Sequence, residues 1–406
     1  MSEQTRRDVL RLATASTAAG ALTIGSAVSA QSNESGWQQA ESPTGKALND
    51  AVDTAAGPFA AGADGNVLAR RDDGWQTVVS YGPQARSRRL TGIDATDDGK
   101  AVWFVGGSGV IGEYNVETKT LTNYSAPKGK TSTWEDCAVR GTAGENERLY
   151  FVNGSGELLV GVRQDSGALK YRDVIKPGGG STIPGIDFHS RKVGHVCSTS
   201  QFVAKTADGG STWERIGIDF AGGAFFDIAS RGPKDVNVAA GSGIIYRYDG
   251  FRWTPHVVDN KRRAVRAVDR DGTAGLAAGD GGTLFERQSA GQWRQYQPVV
   301  KSKLRGVSKG TSYDVAVGDG GTIVERPADG NTTETTDGNT TETTDGNTTE
   351  TTDGNTTETT DGNTTETTDG NSTNSTANTT SLSMDAPTAE PLSVERYVQG
   401  TWIDDR

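Results

Sequence analysis

A short sequence that recurs about every 40 residues constrains the fold more than any other feature of this chain. Copies include AVGDGGTIVER (316–326), AAGDGGTLFER (277–287) and FVGGSGVIGEY (104–114). Within each copy apolar and polar residues alternate, as in a β-strand, and the run stops at Gly, Asp, Asn or Ser. The period is that of one four-stranded blade, so the repeats predict an all-β fold, a β-propeller.

The repeats place seven blades along the chain, at roughly 46–85, 90–127, 134–176, 183–218, 226–258, 265–297 and 304–327. The last interval is too short for a fourth strand. The segment SGWQQA (35–40) resembles AGQWRQY (290–296), the fourth strand of the sixth blade. We therefore predict that an N-terminal strand completes blade seven, which closes the ring and removes two exposed sheet edges.

Residues 1–30 have the pattern of an export signal and are excluded from the fold. TRRDVLR (5–11) matches the twin-arginine pattern, and VSA (28–30) supplies small residues for cleavage after Ala30. The intervening stretch is too rich in Ala, Thr, Ser and Gly for a good membrane span. The sequence thus predicts a propeller at 31–327 without a transmembrane segment, exported folded to the cell surface or the medium.

The segment 328–381 is built from the octapeptide DGNTTETT and lacks the apolar residues needed for a packed core, which predicts disorder. It carries eight N-glycosylation acceptors, at Asn331, Asn339, Asn347, Asn355, Asn363, Asn371, Asn374 and Asn378. A short apolar cluster of unassigned role follows in 382–406. Residues 328–406 hold 16 acidic residues and 2 Arg, whereas 31–327 holds 34 acidic and 36 basic residues. The acidity of the chain therefore belongs to the tail.

One octapeptide carries a family resemblance. TADGGSTW (206–213) is similar to the Asp-box, or BNR repeat, of sialidases, exported propellers and Ycf48-like photosystem assembly factors, and the repeats as a whole resemble WD40 and YVTN propellers. The resemblance implies a structural turn between strands three and four, held by Asp208, Gly210, Thr212 and Trp213. The signal and the sequon-rich tail together resemble surface proteins of halophilic archaea.

Basic residues are concentrated in the links between blades, which a four-stranded meander places on the same face as the turns between strands two and three. A ring of one sign focuses potential and attracts anions. The sequence therefore predicts an exported binding or scaffolding module for an acidic protein segment or an anionic polysaccharide. Besides Lys46 and Lys176, the predicted binding residues are Arg86, Arg88, Arg89, Lys128, Lys130, Lys261, Arg262, Arg263, Lys301 and Lys303.

Two alternatives remain open. Carboxylates on the first strands would line the central channel and could serve a glycosidase or a lyase. Their more ordinary role is to accept hydrogen bonds from backbone turns or to pair with a nearby Arg. These residues are Asp50, Asp94, Asp136, Asp187, Asp227 and Asp269. The basic rim could also bind the acidic tail of the same chain.

Other site classes have little support in the sequence. We recognise no cofactor motif, metal cluster or nucleophile motif, and the lack of an aromatic platform argues against nucleic acid. Cys137 and Cys197 are candidates for a disulfide or for two free buried thiols.

Overall fold

The computed structural model describes residues 35–218 and 221–328. The predicted signal, the eight sequons and the segment 382–406 lie outside the described residues, as does Asp219. In the described part of the chain, no helix is long and apolar enough to cross a membrane.

Strands in the described residues form seven four-stranded antiparallel sheets arranged as the blades of a propeller. Blade one contains β2–β5 (Leu48–Val52, Phe59–Gly62, Val67–Arg71, Gly74–Val79). Blade two contains β6–β9 (Leu90–Ala95, Ala101–Gly106, Ile111–Asn115, Leu121–Asn123). Blade three contains β10–β13 (Trp134–Arg140, Arg148–Asn153, Leu158–Arg163, Leu169–Tyr171). Blade four contains β14–β17 (Gly185–Phe188, Gly194–Cys197, Val203–Thr206, Glu214–Arg215).

The remaining blades follow the same order. Blade five contains β18–β21 (Phe225–Ser230, Val236–Ala240, Ile244–Tyr248, Trp253–Val257). Blade six contains β22–β25 (Val265–Asp271, Ala274–Gly279, Leu284–Ser289, Gln292–Tyr296). Blade seven contains β26–β28 (Leu304–Ser308, Tyr313–Gly318, Ile323–Pro327) together with β1 (Gln38–Ala40). Short 3-10 turns lie at Ala63–Gly65, Pro83–Ala85, Gly107–Gly109, Pro127–Gly129, Asp280–Gly282 and Asp319–Gly321.

The N-terminal strand closes the ring, as predicted. In β1, Gln38 pairs with Glu325 and Ala40 pairs with Ile323, so β1 is the outer strand of blade seven. Trp37, just before β1, is fully buried in the apolar core between blades six and seven. The closure therefore combines a three-residue ladder with one large buried side chain.

Each neighbouring pair of blades encloses its own apolar core, because inner strands bury side chains on both faces. The core between blades five and six, for example, contains Ile245 from β20 and Phe285 from β24. The core between blades seven and one contains Leu68 and Val317. Burial is therefore distributed around the ring, which places the remaining polar groups at the central channel, the two faces and the outer edges.

In six of the seven blades a glycine ends the turn between strands two and three, and close packing requires it; in blade four Gln201 has this place, with φ +66°. Gly282 has φ +73°, and a Cβ there would lie 2.0 Å from the carbonyl oxygen of Val300. Gly321 has φ +74°, and its Cβ would lie 1.8 Å from the carbonyl oxygen of Thr44. Both carbonyls belong to links between blades, so only glycine allows the turn to pack against the link. The repeat signature thus encodes the contact that joins one blade to the next.

Candidate functional site

The links between blades and the turns between strands two and three lie on one face, which we call the link face. Backbone hydrogen bonds join them directly: the N–H of Gly82 donates to the carbonyl of Gly65 at 2.8 Å. The N–H of Ala126 likewise donates to the carbonyl of Gly109 at 2.8 Å. Turns that join strands one to two and three to four form the opposite face.

The predicted binding residues lie in the links on this face, and most of their side chains are exposed. Those in the exposed class are Arg86, Arg88, Arg89, Lys128, Lys261, Arg262 and Lys301. Lys130, Arg263 and Lys303 are half-buried. The position of these residues on one face follows directly from the meander connectivity.

The link face nevertheless carries both positive and negative charges. Lys46 pairs with Asp64 at 3.1 Å, and Lys130 pairs with Glu157 at 3.0 Å. These carboxylates come from the turns between strands two and three. The sequence prediction of a positively charged rim counted only the residues of the links, so it missed these acids. Further pairs on the same pattern are Arg266–Asp280 at 2.9 Å and Arg305–Asp319. Lys128 is also paired, with Asp173 at 2.9 Å. Much of the basic charge is therefore compensated locally.

Arg263 has a structural role. It contacts Asp259 at 2.8 Å, and only 1 % of Asp259 is exposed. Although burial raises the pKa of Asp259, hydrogen bonds from the Arg263 side chain and from backbone N–H groups hold it below its ordinary value. Removing Arg263 would leave a buried carboxylate without its cation, which destabilises the fold rather than a binding surface.

The link between blades one and two retains its charge. We call residues 81–89 (YGPQARSRR) the arginine link. Among the described residues, none forms an ion pair with Arg86, Arg88 or Arg89, although Arg89 donates to the side-chain oxygen of Asn49 at 3.1 Å. Tyr81 lies in the same link with 57 % of its surface exposed. The arginine link therefore presents three cations and one aromatic ring to solvent.

The backbone of the arginine link is constrained rather than extended. Tyr81, Gln84, Ala85 and Ser87 all have positive φ, at +67°, +57°, +53° and +43°. For residues other than glycine this region is sparsely populated and costs free energy, so the surrounding contacts must hold it. A hydrogen bond from the N–H of Ser87 to the carbonyl of Tyr81, 2.7 Å long, closes the loop. Strained exposed loops of this kind are typical of recognition sites.

The channel carboxylates occur in two tiers, which the sequence interpretation did not separate. In blades one, three and five the Asp directly follows the bulge of the first strand; this deep tier is Asp50, Asp136 and Asp227. In blades two, four and six the Asp stands two residues further along; this outer tier is Asp94, Asp187 and Asp269. Glycine occupies the deep position in blades two, four and seven because the next blade approaches closely: a Cβ on Gly306 would lie 2.4 Å from the Cα of Asp50.

Both tiers tie each blade to the next. Asp50 accepts from the N–H of Ile93 in blade two at 3.0 Å, and Asp94 accepts from the N–H of Val139 in blade three at 2.7 Å. In the same way the N–H of the next blade donates to the carboxylate at 2.6–2.9 Å in four further pairs: Ile186 to Asp136, Ser230 to Asp187, Val268 to Asp227 and Lys309 to Asp269. Asp53 makes the corresponding bond from blade one to Thr311 of blade seven at 2.8 Å. The carboxylates therefore hold the first strands together around the ring.

Electrostatics favour the protonated form of the deep tier. Burial raises the pKa of Asp50 to about 7, against the backbone hydrogen bonds that lower it, and nearby Asp94 and Asp269 raise it further. Burial and the charges of neighbouring carboxylates also raise the pKa values of Asp136 and Asp227. The channel around them has a volume of about 460 Å³ and opens beside Asp97, Asp271 and Lys309. Within the described residues, no group of three or more His, Cys, Asp or Glu is arranged to hold a metal ion.

The hydrogen bonds of Asp208 lie within its own turn. One carboxylate oxygen accepts from the N–H groups of Ser211 and Thr212 at 2.9 Å, and the other accepts from the hydroxyl of Thr212 at 2.6 Å. These bonds lower the pKa of Asp208 to about 2. The carbonyl of Gly210 accepts from the indole N–H of Trp213 at 3.3 Å, and that ring packs edge-on against Phe188. The side chains of this motif are thus occupied in shaping the turn.

Cys137 and Cys197 are both free and buried, in different inter-blade cores. Of the two possibilities that the sequence left open, the structure has the pair of thiols and not the disulfide. Burial raises the pKa of each thiol well above its usual range, so neither is a reactive thiolate near neutral pH.

Comparison with known proteins supports the fold. No protein-family model matches the chain, and no curated protein matches it. Among solved structures, Ycf48 bound to a D1 peptide matches with a TM-score of 0.58 and 13 % identity, covering 72 % of this chain and 96 % of that one. Ycf48 from Cyanidioschyzon merolae matches at 0.55 with 16 % identity, covering 72 % and 98 %. A virginiamycin B lyase from Staphylococcus aureus matches at 0.57 with 14 % identity and the same coverage. At these identities the likeness concerns the seven-bladed fold alone.

Proposed function

We propose that this chain is an exported binding or scaffolding propeller whose link face engages an anionic partner, an acidic protein segment or an anionic polysaccharide. The observation that carries the proposal is the arginine link, where three exposed Arg side chains form no ion pair among the described residues, although burial raises the pKa of Glu135 and the charge of Arg89 partly offsets this. The neighbouring basic pairs of the face are compensated, so the free charge is local. Lys261, Arg262 and Lys301 form a second group of exposed cations on the same face, spread over two links.

The chemistry of the arginine link suits carboxylate or sulfate groups. Each guanidinium offers a planar fork of N–H donors that can bind an oxyanion in bidentate fashion. The exposed ring of Tyr81 adds an amphipathic surface beside the charges, as at many recognition sites. Because the loop is already constrained in the free protein, little conformational entropy is lost when a partner binds.

Structural relatives support a protein segment as one class of partner. One of the similar structures is Ycf48 with a bound D1 peptide, so a propeller of this fold can take a peptide. Another is a lyase, so the fold by itself does not decide between binding and catalysis. The local charge and exposure of the arginine link favour binding.

The enzyme alternative from the sequence receives less support. The channel carboxylates that an enzyme would use accept hydrogen bonds from the backbone of the next blade, which commits them to holding the ring. The other alternative, that the link face binds the acidic tail of the same chain, concerns residues outside the described ones and stays a prediction.

Export and glycosylation are part of the same proposal. The twin-arginine pattern and the eight sequons support a surface or secreted glycoprotein, of the kind found in halophilic archaea. Mass spectrometry of the native protein should show cleavage after Ala30 and tail peptides heavier than their sequence mass. Unmodified tail peptides across all eight sequons would refute the glycosylation.

A charge-matched pair of variants tests the site. The first replaces Arg86, Arg88 and Arg89 by Gln; the control replaces Arg191, Lys192 and Lys234, three exposed cations on the opposite face. Binding of fluorescein-labelled deca-glutamate and of an oligogalacturonate is measured by anisotropy at two salt concentrations. We expect wild type and control to bind alike, and the arginine-link variant to bind about tenfold or more weakly, since hydrogen bonds to charged groups contribute about 1.5–3 kcal/mol.

Salt dependence separates a surface site from a channel site. Exposed charges are screened beyond about 8 Å at physiological ionic strength, so wild-type binding should weaken as salt rises. Equal binding by both triple variants would place the site elsewhere. If Asp94→Asn or Asp187→Asn abolished binding, or abolished a cleavage of the glycan seen with wild type, the channel and the enzyme would be favoured instead.

A further inference from the structure

A polar cluster lies between blades five and six, outside their shared apolar core. Arg247 follows Ile245 on β20, and Arg287 follows Phe285 on β24, each two residues later on the same strand face. Because alternate residues of a strand point the same way, both guanidinium groups face the space between the blades. Together with Arg270, His256 and Trp293, they form what we call the cationic cleft.

One carboxylate compensates three arginines in the cationic cleft. Arg270 is only 1 % exposed and pairs with Asp235 at 2.9 Å. Arg247 lies 3.9 Å from the same carboxylate, beyond hydrogen-bond distance. Arg287 has no ion pair among the described residues and donates to the backbone carbonyl of Thr273. The cleft therefore carries an excess of positive charge.

Two buried arginines between other blades are compensated by acids. Arg163, between blades two and three, pairs with Glu113 at 3.0 Å and with Glu147. Arg326, between blades six and seven, pairs with Asp314 at 2.8 Å and with Glu286. A buried cation without such compensation is costly. Half-buried Arg148 of blade three also forms no ion pair among the described residues and has an unpartnered Nε, but the cationic cleft differs in bringing several unpartnered nitrogen atoms together.

Five buried nitrogen atoms of the cleft have no hydrogen-bond partner within the described part of the chain: Arg247 Nε, Arg287 Nε, His256 Nε2, Trp293 Nε1 and Asn237 Nδ2. Asn237 is fully buried and faces Arg247 across β19 and β20, while its side-chain oxygen accepts from Arg270. Nearly all buried polar groups in proteins are hydrogen-bonded, and leaving one unpaired costs about 1–3 kcal/mol. A group of unpaired donors around excess positive charge is what an anion site requires.

The positive groups of the cleft are close enough to affect one another. Burial lowers the pKa of His256, and the charges of Arg247 and Arg287 lower it further. Burial and the neighbouring Arg270 lower the pKa of Arg287 in the same way. A cavity of about 680 Å³, lined by His256, Trp293, Gln288 and Gln292 among others, adjoins the cluster at the outer edges of the blades. His256 and Trp293 are the donors of the cleft that line this cavity, so a small solute that enters it meets these two first.

We propose that the cationic cleft binds a small oxyanion, a carboxylate, sulfate or phosphate group, with Arg247, Arg287, His256 and Trp293 as donors. An oxyanion supplies several acceptor lone pairs and the negative charge that offsets the excess of arginine. His256 donates through Nε2 in the corresponding tautomer. The site is separate from the link face and does not depend on the function proposed for it.

Thermal unfolding of the mature protein, residues 31–406, tests the proposal. Sodium sulfate, phosphate and acetate are titrated at constant ionic strength, and a ligand of the folded state raises the Tm in a saturable way. In Arg287→Gln the midpoint of this titration should move about tenfold or more to higher anion concentration. Arg252→Gln, which removes an exposed arginine of blade five outside the cleft, should titrate like wild type.

A second variant distinguishes loss of the anion site from loss of the folded structure. Trp293→Phe keeps an aromatic ring against the core and removes the N–H donor together with part of the indole ring, so it should fold and still weaken the response. A Tm that does not saturate in wild type, or responses of Arg287→Gln and Trp293→Phe equal to that of wild type, would overturn the proposal. So would a response that disappears only when the arginine link is neutralised, because the anion would then be bound at the link face.

Discussion

Replacing Trp37 by Ala should destabilise the whole ring, because this side chain anchors the strand that closes it. Trp37 is fully buried between blades six and seven. Its ring packs edge-on against Tyr296 with centroids 6.5 Å apart, and the guanidinium of Arg326 lies 4.9 Å from its centre. The indole N–H has no hydrogen-bond partner among the residues that the structure describes, so packing and the cation–π contact account for its contribution.

The magnitude follows from the burial. Truncating a fully buried Trp to Ala costs about 3–5 kcal/mol of unfolding free energy. For a domain of this size about 1 kcal/mol corresponds to 2–4 °C, so the Tm should fall by roughly 6–20 °C. Loss of Trp37 also loosens β1, whose three residues are the outer partners of β28. Chains that lack 31–42 should lose at least as much.

Chemical denaturation followed by far-ultraviolet circular dichroism measures the effect without relying on tryptophan fluorescence. Phe251→Ala is the control, since Phe251 is 92 % exposed and its loss should change the free energy of unfolding by less than about 0.5 kcal/mol. A synthetic peptide of residues 33–42 should partly restore the stability of the truncated chain by occupying the open edge of β28. If Trp37→Ala and the truncated chain unfolded at the same denaturant concentration as wild type, the closure we describe would not contribute to stability.

Three further predictions concern the channel and the cores. Gly306→Ala should lower the free energy of unfolding by about 1–3 kcal/mol, because its Cβ would lie 2.4 Å from the Cα of Asp50 where blades seven and one meet. The control Gly45→Ala, whose Cβ would have nothing within 4 Å, should leave the same denaturation assay unchanged. The pKa values of the deep tier are raised on folding, so its contribution to stability is complete below pH 4 and is lost as pH rises through about 7, where Asp50 titrates. The denaturation midpoint of wild type relative to a variant with the three deep-tier residues changed to Asn should therefore fall between pH 5 and pH 8. This comparison cancels the opposite contribution of buried His195, whose pKa is lowered to about 4, and a constant difference would contradict the prediction. Cys137 and Cys197 should react with a thiol reagent only after unfolding, and recovery of a disulfide-linked peptide would contradict the free-thiol structure.

The architecture was accessible from the sequence because its determinants are local and repeated. Alternating strands, glycine-containing turns and a period of about one blade predict seven blades without any knowledge of how they meet. The resemblance between 35–40 and 290–296 was enough to predict the closing strand. Both features depend on residues that are neighbours in sequence or in one hairpin.

Contacts between blades could not be predicted in the same way. The deep and outer tiers differ by two residues of strand register, which is visible only once each first strand is aligned with its partner. The hydrogen bond from the N–H of Ile93 to the Asp50 carboxylate joins residues 43 positions apart, and nothing in the local sequence marks it. The aspartates were correctly expected to lie in the channel, and the ordinary interpretation, that they tie down backbone, is the one the geometry supports.

Charge was the least predictable property, since its meaning depends on partners in other segments. Lys130 and Arg89 are equally basic in the sequence, yet one pairs with a carboxylate of the next turn and the other, among the described residues, does not. Positive φ at Tyr81, which turns its ring to solvent, has no signature in the residue type. Counting charges along the links therefore identified residues that do share one face but overestimated the uncompensated positive charge on it.

The near balance of 36 basic and 34 acidic residues in 31–327 makes the unpaired arginines more informative than a net charge would be. Carboxylates that accept hydrogen bonds from backbone N–H groups, as at Asp50 and Asp208, do not also compensate a cation. A propeller that uses aspartates to join its blades and shape its turns must then leave positive charge elsewhere. The arginine link and the cationic cleft are two places where that charge collects, one exposed and one buried. Their different surroundings predict different ligands: an extended polyanion that neutralises exposed charge, and a single oxyanion that completes buried hydrogen bonds.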